Sequence, residues 1–169
     1  KSVKGKSTED VSKVLKGQPN TTVNVVIERE GVEDVFEVEL KREEVKVKSV
    51  PYYNILEGGI GYIKMTSFTR NVSKEVAEAY QELSKDNDLK GLVFDLRGNP
   101  GGLLNEAVNT TNLFVDKGLE VVSTKGKVKD WDKVYKTLNQ PLDQDIPLVV
   151  LINSRSASAS EIVSGAIQD

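Results

Sequence analysis

Gly91-Leu92-Val93-Phe94-Asp95-Leu96-Arg97-Gly98-Asn99-Pro100-Gly101-Gly102 is the stretch on which the fold turns. Its first six residues are almost wholly apolar, as expected for a strand covered on both faces. The next six form a glycine-rich loop, and Leu104, Ala107, Val108 and Leu113 then recur at helical spacing, so a helix is expected from about Pro100. The pattern repeats downstream. Pro147–Ile152 is a second apolar strand, Ser154-Arg155-Ser156-Ala157-Ser158-Ala159-Ser160-Glu161 is its small-residue loop, and Ile162, Val163, Ala166 and Ile167 mark the helix after it. Alternating apolar strands and helices predict an α/β core.

Upstream of this pair, Gly61–Met65 reads as a strand, preceded by a turn over Ile55–Gly61. Val72, Val76, Tyr80 and Leu83 define an amphipathic helix. Val121–Thr124 is a further strand, while the polar run Lys125–Gln144 carries no clear period. The first 47 residues differ in character. Ser7 followed three residues later by Asp10 is a helix-start pattern, Val11, Val14 and Leu15 supply one apolar face, and Gly17 stops the helix. Thr21–Glu28 and Val35–Leu40 alternate apolar and polar residues and form a hairpin. Val45–Pro51 is an extended connector. Fewer than 50 residues of this kind do not bury a full core alone.

Composition narrows the chemistry. The 169 residues are 38% hydrophobic and 29% charged, a globular balance, and the net charge of −3 does not provide the basic excess of a nucleic-acid surface. No apolar run approaches a membrane span. There is no cysteine, so no thiol nucleophile, and no histidine, so no Ser-His-Asp triad within these residues. Neither a cofactor nor a metal site is indicated. A nucleophilic mechanism would need Ser or Thr assisted by a lysine, a carboxylate or a group outside the chain.

Two loops could carry it. Free N–H groups where a glycine loop opens a helix suit a phosphate or a developing oxyanion. The loop over 97–102 lacks phosphate-loop spacing and a following Lys-Ser/Thr, leaving an oxyanion site or a plain strand-to-helix turn. The serines at 156, 158 and 160 stand where a hydroxyl is exposed beside a helix N-terminus, yet serine there is also a common N-cap. Bringing both loops to one sheet edge would create a site where open α/β sheets usually hold ligands.

Gly61-Tyr62-Ile63-Lys64 before Thr66-Ser67-Phe68, then Asp95–Gly102, then Pro147–Asn153 leading to Ser156-Ala157-Ser158-Ala159-Ser160-Glu161-Ile162, resemble in order the motifs of the carboxyl-terminal processing (tail-specific) peptidases. The resemblance implies a Ser-Lys serine endopeptidase cleaving proteins near their C-termini, in the periplasm, cell envelope or outside the cell. It implies Ser158 as nucleophile and the backbone N–H groups of Gly102 and Ala159 as oxyanion donors. Ser156 and Ser160 are then capping or packing residues, and Asp95 and Arg97 hold the loop. Residues 1–47 resemble the back half of a PDZ-like α+β domain, whose carboxylate loop would precede Lys1, and residues 48–169 form part of the protease core. The family's base lysine would lie beyond Asp169, and no lysine follows Ser158 in this sequence. The 169 residues alone are therefore expected to be inactive. Expected partners are proteins or peptides with accessible C-termini, not nucleic acid. Self-association is open to the half domain. The alternatives are a non-catalytic peptide- or ligand-binding module on the same core, and a structural domain in which both loops are only turns.

Overall fold

The computed structural model describes residues 2–44, 48–85 and 87–169. Contacts divide the chain into two units, Lys1–Val47 and Lys48–Asp169. In the first, helix α1 (Thr8–Leu15) starts at Ser7, whose hydroxyl oxygen accepts the Asp10 N–H at 3.2 Å. Strands β1 (Thr22–Ile27) and β2 (Phe36–Lys41) pair antiparallel, with Val25 opposite Val38. Arg42 ties helix to hairpin by donating to the carbonyls of Leu15 and Thr22. Part of the expected connector, residues 45–47, lies outside the described residues.

The second unit is built on a four-stranded sheet of β3 (Tyr52–Leu56), β4 (Ile60–Lys64), β5 (Gly91–Asp95) and β8 (Leu148–Leu151), in that order. The first pair is antiparallel and the other two pairs are parallel. Leu56 pairs with Ile60, which shortens the expected turn to residues 57–59. Helices α2 (Val72–Ser84), α3 (Leu104–Thr111) and α4 (Ala159–Gln168) complete the unit. Between α3 and α4, β6 (Glu120–Thr124) and β7 (Lys133–Lys136) form a separate hairpin joined through a 3₁₀ turn at Lys129–Trp131. The polar run Lys125–Gln144 thus contains a strand that its irregular pattern concealed.

Side chains alternate across a sheet, so Ile63, Phe94 and Val150, aligned in register, share one face. They pack with Val76, Ala79, Ala107, Ala159 and Val163 into a single core, so the helices cover that face. Alpha-helical spacing explains α2, where Val72, Val76, Ala79, Tyr80 and Leu83 are all buried. Two expectations are corrected. The helix after the glycine loop begins at Leu104, not near Pro100, because Gly101 and Gly102 take positive φ and Gly102 bridges Phe68 as a short extended segment. The strand over Pro147–Ile152 is not covered on both faces: Val149 is 55% exposed, since the face carrying Tyr52, Tyr62 and Val149 is the one opposite the core.

Candidate active site

The strands β5 and β8 are parallel neighbours, so their C-terminal ends deliver the glycine loop and the serine loop to the same edge. Asn99 joins them. It is fully buried, its Nδ2 donates to the Met65 carbonyl and its Oδ1 accepts the Gly101 N–H at 2.9 Å. Its own carbonyl accepts both the Ala157 N–H and the Ser160 hydroxyl. Gly101 closes the contact from above. A Cβ at that position would lie 2.7 Å from the Ala157 oxygen, 2.9 Å from the Ser158 Cβ and 3.0 Å from the Ala159 nitrogen. Only a residue without a side chain fits there.

The three serines are separated by their surroundings. Ser160 is buried, with its hydroxyl spent on Asn99. Ser156 donates its hydroxyl to the Leu96 carbonyl at 2.8 Å and accepts the Asn153 N–H. Ser158 alone of the three is exposed, at the N-cap of α4, with φ 54° and ψ −113°. Such a backbone costs a residue with a Cβ roughly 1–3 kcal/mol and is characteristic of a strained strand-to-helix elbow. The Ser158 N–H is held by the Glu161 carboxylate at 2.7 Å. The N–H groups of Gly102 and Ala159 have no acceptor among the described residues. Gly102 is exposed, and its neighbours face Phe68 instead: Gly101 supplies an acceptor to the Phe68 N–H and Leu103 a donor to the Phe68 carbonyl.

Behind the loop, Asp95 is 1% exposed and fully engaged. Arg97 grips it in a fork, Nε at 3.0 Å and Nη2 at 2.8 Å, and donates its backbone N–H as well. Tyr62 donates its hydroxyl, and Lys64 lies 3.2 Å away while also donating to the Arg97 carbonyl. Burial opposes the charge on Asp95, yet the bonds from the Arg97 side chain, Tyr62, the Arg97 backbone and Lys64 outweigh it. They hold the carboxyl well below the usual carboxylate range.

Residues 59–169 match the model of peptidase family S41. The chain belongs to that family. It is 42% identical to a CtpA-like serine protease of Staphylococcus aureus, over 100% of this chain and 33% of the relative. It is 37% identical to a carboxy-terminal-processing protease of Bartonella bacilliformis, over 100% of this chain and 39% of the relative. Among solved structures, a photosystem II D1 C-terminal processing protease superposes with a TM-score of 0.61 at 31% identity, covering 99% of this chain and 46% of that one. The chain therefore spans about a third of the length of the curated relatives it matches.

In this S41 core, the Asp95–Arg97 contact expected from sequence is present, whereas the parts played by Tyr62, Lys64 and Asn99 went unread. For Tyr62 and Lys64 a signal existed: alternate residues of a strand share a face, and Lys64 stands in register with Asp95. Asn99 offered none, because an asparagine in a glycine loop reads equally as a turn residue. Asp95→Asn is expected to lower stability by about 2–4 kcal/mol, between the effects of an exposed and a fully buried ion pair. Its pH dependence has a definite sign. Because the folded-state pKa is depressed, the contribution is complete above the ordinary value of 3.8 and is lost as the pH falls below it. Urea unfolding at stepped pH values should show a steeper acid-side loss for wild type than for Asp95→Asn; parallel curves would contradict the assignment.

Proposed function

We propose that the full-length protein containing this chain is an extracytoplasmic S41 endopeptidase of the Ser-Lys type that trims proteins near their C-termini. The observation that carries this is the exposed Ser158 hydroxyl on a strained elbow, adjoining a glycine loop that presents an N–H without acceptor. In this mechanism the Ser158 Oγ attacks the scissile carbonyl while a neutral lysine amine takes its proton. The tetrahedral oxyanion is received by the Gly102 and Ala159 N–H groups, each worth a few kcal/mol because the charge appears only at that stage. Collapse expels the new amine with the proton returned from the lysine. Water, deprotonated by the same lysine, then hydrolyses the ester.

A base lysine must be desolvated enough to be neutral at working pH. Lys64 does not suit the part, since it is committed to Asp95 and the Arg97 carbonyl. The family resemblance puts the base lysine well after the nucleophile, and no lysine follows Ser158 here, so by that resemblance the base is assigned to residues after Asp169. The periplasmic, cell-envelope or secreted location rests on the family resemblance. The helix and antiparallel hairpin of residues 8–41 support a partial PDZ-like unit. Among its described residues no apolar side chain is fully buried, and Val14 and Val26 are exposed, which leaves apolar surface open to self-association.

Treating the full-length protein with a fluorophosphonate, and separately with an unstructured peptide, tests this reading. Covalent labelling should map to Ser158, and the peptide should be cut. Residues 1–169 alone should cut nothing measurable. Labelling at another residue, or equal cleavage by the isolated chain, would sink the assignment.

A further inference from the structure

Two successive glycines, with φ at +99° and +146°, give the loop over 101–102 little conformational preference of its own. Its shape comes from Phe68. The Phe68 N–H donates to the Gly101 carbonyl at 2.9 Å, and the Phe68 carbonyl accepts the Leu103 N–H at 2.8 Å. Gly102 is thus held between two bonds, and a Cβ on it would stand 2.5 Å from the Phe68 oxygen. Residues 65–69 are themselves irregular apart from this one bridge, so they too need support. Met65 is tied to Asp95 and Asn99, and the rest of the segment is tied to Ser49. The Ser49 carbonyl accepts the Thr66 N–H at 2.9 Å and the Thr66 hydroxyl at 3.2 Å. Its hydroxyl shares a hydrogen bond of 2.6 Å with that of Thr69. Ser49 is held in turn from α2, where the Glu75 Oε2 accepts the N–H groups of Ser49 and Val50 at 2.9 and 3.0 Å. We infer that Glu75 is a positioning residue for the Gly102 N–H, acting through Ser49 and the segment 66–69. This inference rests on the reading of Ser158 as nucleophile and Gly102 as oxyanion donor.

An oxyanion donor works only if its N–H already points where the charge will appear, and turning one peptide plane removes the benefit. Gly102 resists such a turn only through its bridge to Phe68, and Phe68 is only as fixed as the segment that carries it. Ser49 and Val50 are 3% and 4% exposed, so their N–H groups have little access to water if Glu75 withdraws its oxygen. Those donors then regain a partner only by shifting, and Ser49 takes Thr66 and Thr69, on either side of Phe68, with it. The useful part of Glu75 is its acceptor oxygen. Glutamine offers the same oxygen on the same length of side chain; alanine offers none.

The test uses the full-length protein and one peptide in two forms, an ester and the matching thionoester. Sulfur accepts hydrogen bonds weakly, so oxyanion donors help the thionoester far less. Glu75→Ala should lower kcat and kcat/KM for the ester together by about 10- to 100-fold, with KM within about threefold. The thionoester should lose no more than about threefold, so the gap between the two substrates narrows. Glu75→Gln should return the ester to within about threefold of wild type. Thr69→Val changes an exposed residue and removes the partner of the Ser49 hydroxyl. It should cost the ester about 3- to 10-fold with the same narrowing, and it serves if Glu75→Ala does not fold. Equal losses on ester and thionoester would overturn the inference, because Glu75 would then act on the fold at large. So would ester turnover of Glu75→Ala within threefold of wild type, or a Glu75→Gln variant as poor as the alanine one. Ser158→Ala run alongside separates the two levels: if it remains active, the reading of the site fails; if it is inactive while Glu75→Ala is not impaired, only the role of Glu75 fails.

Discussion

Ser158→Ala in the full-length protein is expected to lower turnover by about 10³- to 10⁶-fold, the range seen when a serine nucleophile is removed and oxyanion donors remain. The fold should stay in place. Ser158 is exposed, its backbone bonds to Glu161 and Ile162 survive the change, and alanine keeps the Cβ; what is lost is the serine's half of the capping box at the start of α4. The melting temperature should therefore fall by only a few degrees, the scale of one lost N-cap at about 0.5–2 kcal/mol. Ser158→Gly should be equally inactive but more stable. With φ at 54° and ψ at −113°, the serine backbone is strained, and glycine removes the Cβ that causes it. The gain, net of glycine's greater freedom in the unfolded chain, is about 1 kcal/mol, or about 2–4 °C for a chain of this size. Calorimetry of the two variants is the check. A glycine variant melting below the alanine variant would show that the elbow is not strained, and either variant cutting within tenfold of wild type would remove Ser158 from the mechanism.

Gly101→Ala is expected to damage both the site and the fold. Its φ of +99° already disfavours any side chain, and the added Cβ would meet backbone and Ser158 at 2.7–3.0 Å. These atoms cannot swing aside as a flexible side chain would. The glycine loop must lift away from the serine elbow, weakening the bonds of Asn99 to Ala157 and Ser160. A destabilisation of about 2–4 kcal/mol follows from combined strain and clash. Turnover should fall at least about 100-fold in the molecules that remain folded, because a displacement of about 1 Å between nucleophile and oxyanion donors has that effect. Urea titration and labelling kinetics of the full-length variant would measure the two losses separately. Gly98→Ala is the contrasting case: φ is positive there too, but nothing lies within 4 Å of its Cβ, so only the backbone term applies. Equal damage from both would mean that the loops do not touch as described.

Apolar runs and helical spacing made the parallel strand pair, the amphipathic α2 and the last helix legible before any coordinates, because hydrophobic burial imposes its period on sequence. The hairpin of residues 22–41 was equally readable from strict alternation. The β7 strand was not: Lys133–Lys136 alternates over too short a span, and its pairing with β6 is set by a long-range partner. Nor could the exposed face of β8 be read. An all-apolar strand shows how hydrophobic its side chains are, not how many layers lie against them, and Val149 is open because it lies opposite the helix-covered face.

The same division runs through the site. Residue identity alone determined that no histidine or cysteine of these 169 residues could act, that Ser or Thr was the available nucleophile type, and that two glycine- and serine-rich loops opened helices. Those are properties of composition and local pattern, which need no knowledge of contacts. Tertiary structure decided which serine stands free. Ser156, Ser158 and Ser160 differ little as sequence, yet Leu96 occupies the first and Asn99 the last. It also decided that Ser158 would be strained, since a positive φ at a non-glycine residue has no local cause and persists only where surrounding contacts hold it. Asn99, Gly101 and Glu161 supply those contacts, from another loop and from a helical turn away, and such cooperation exists only once the two strands lie side by side.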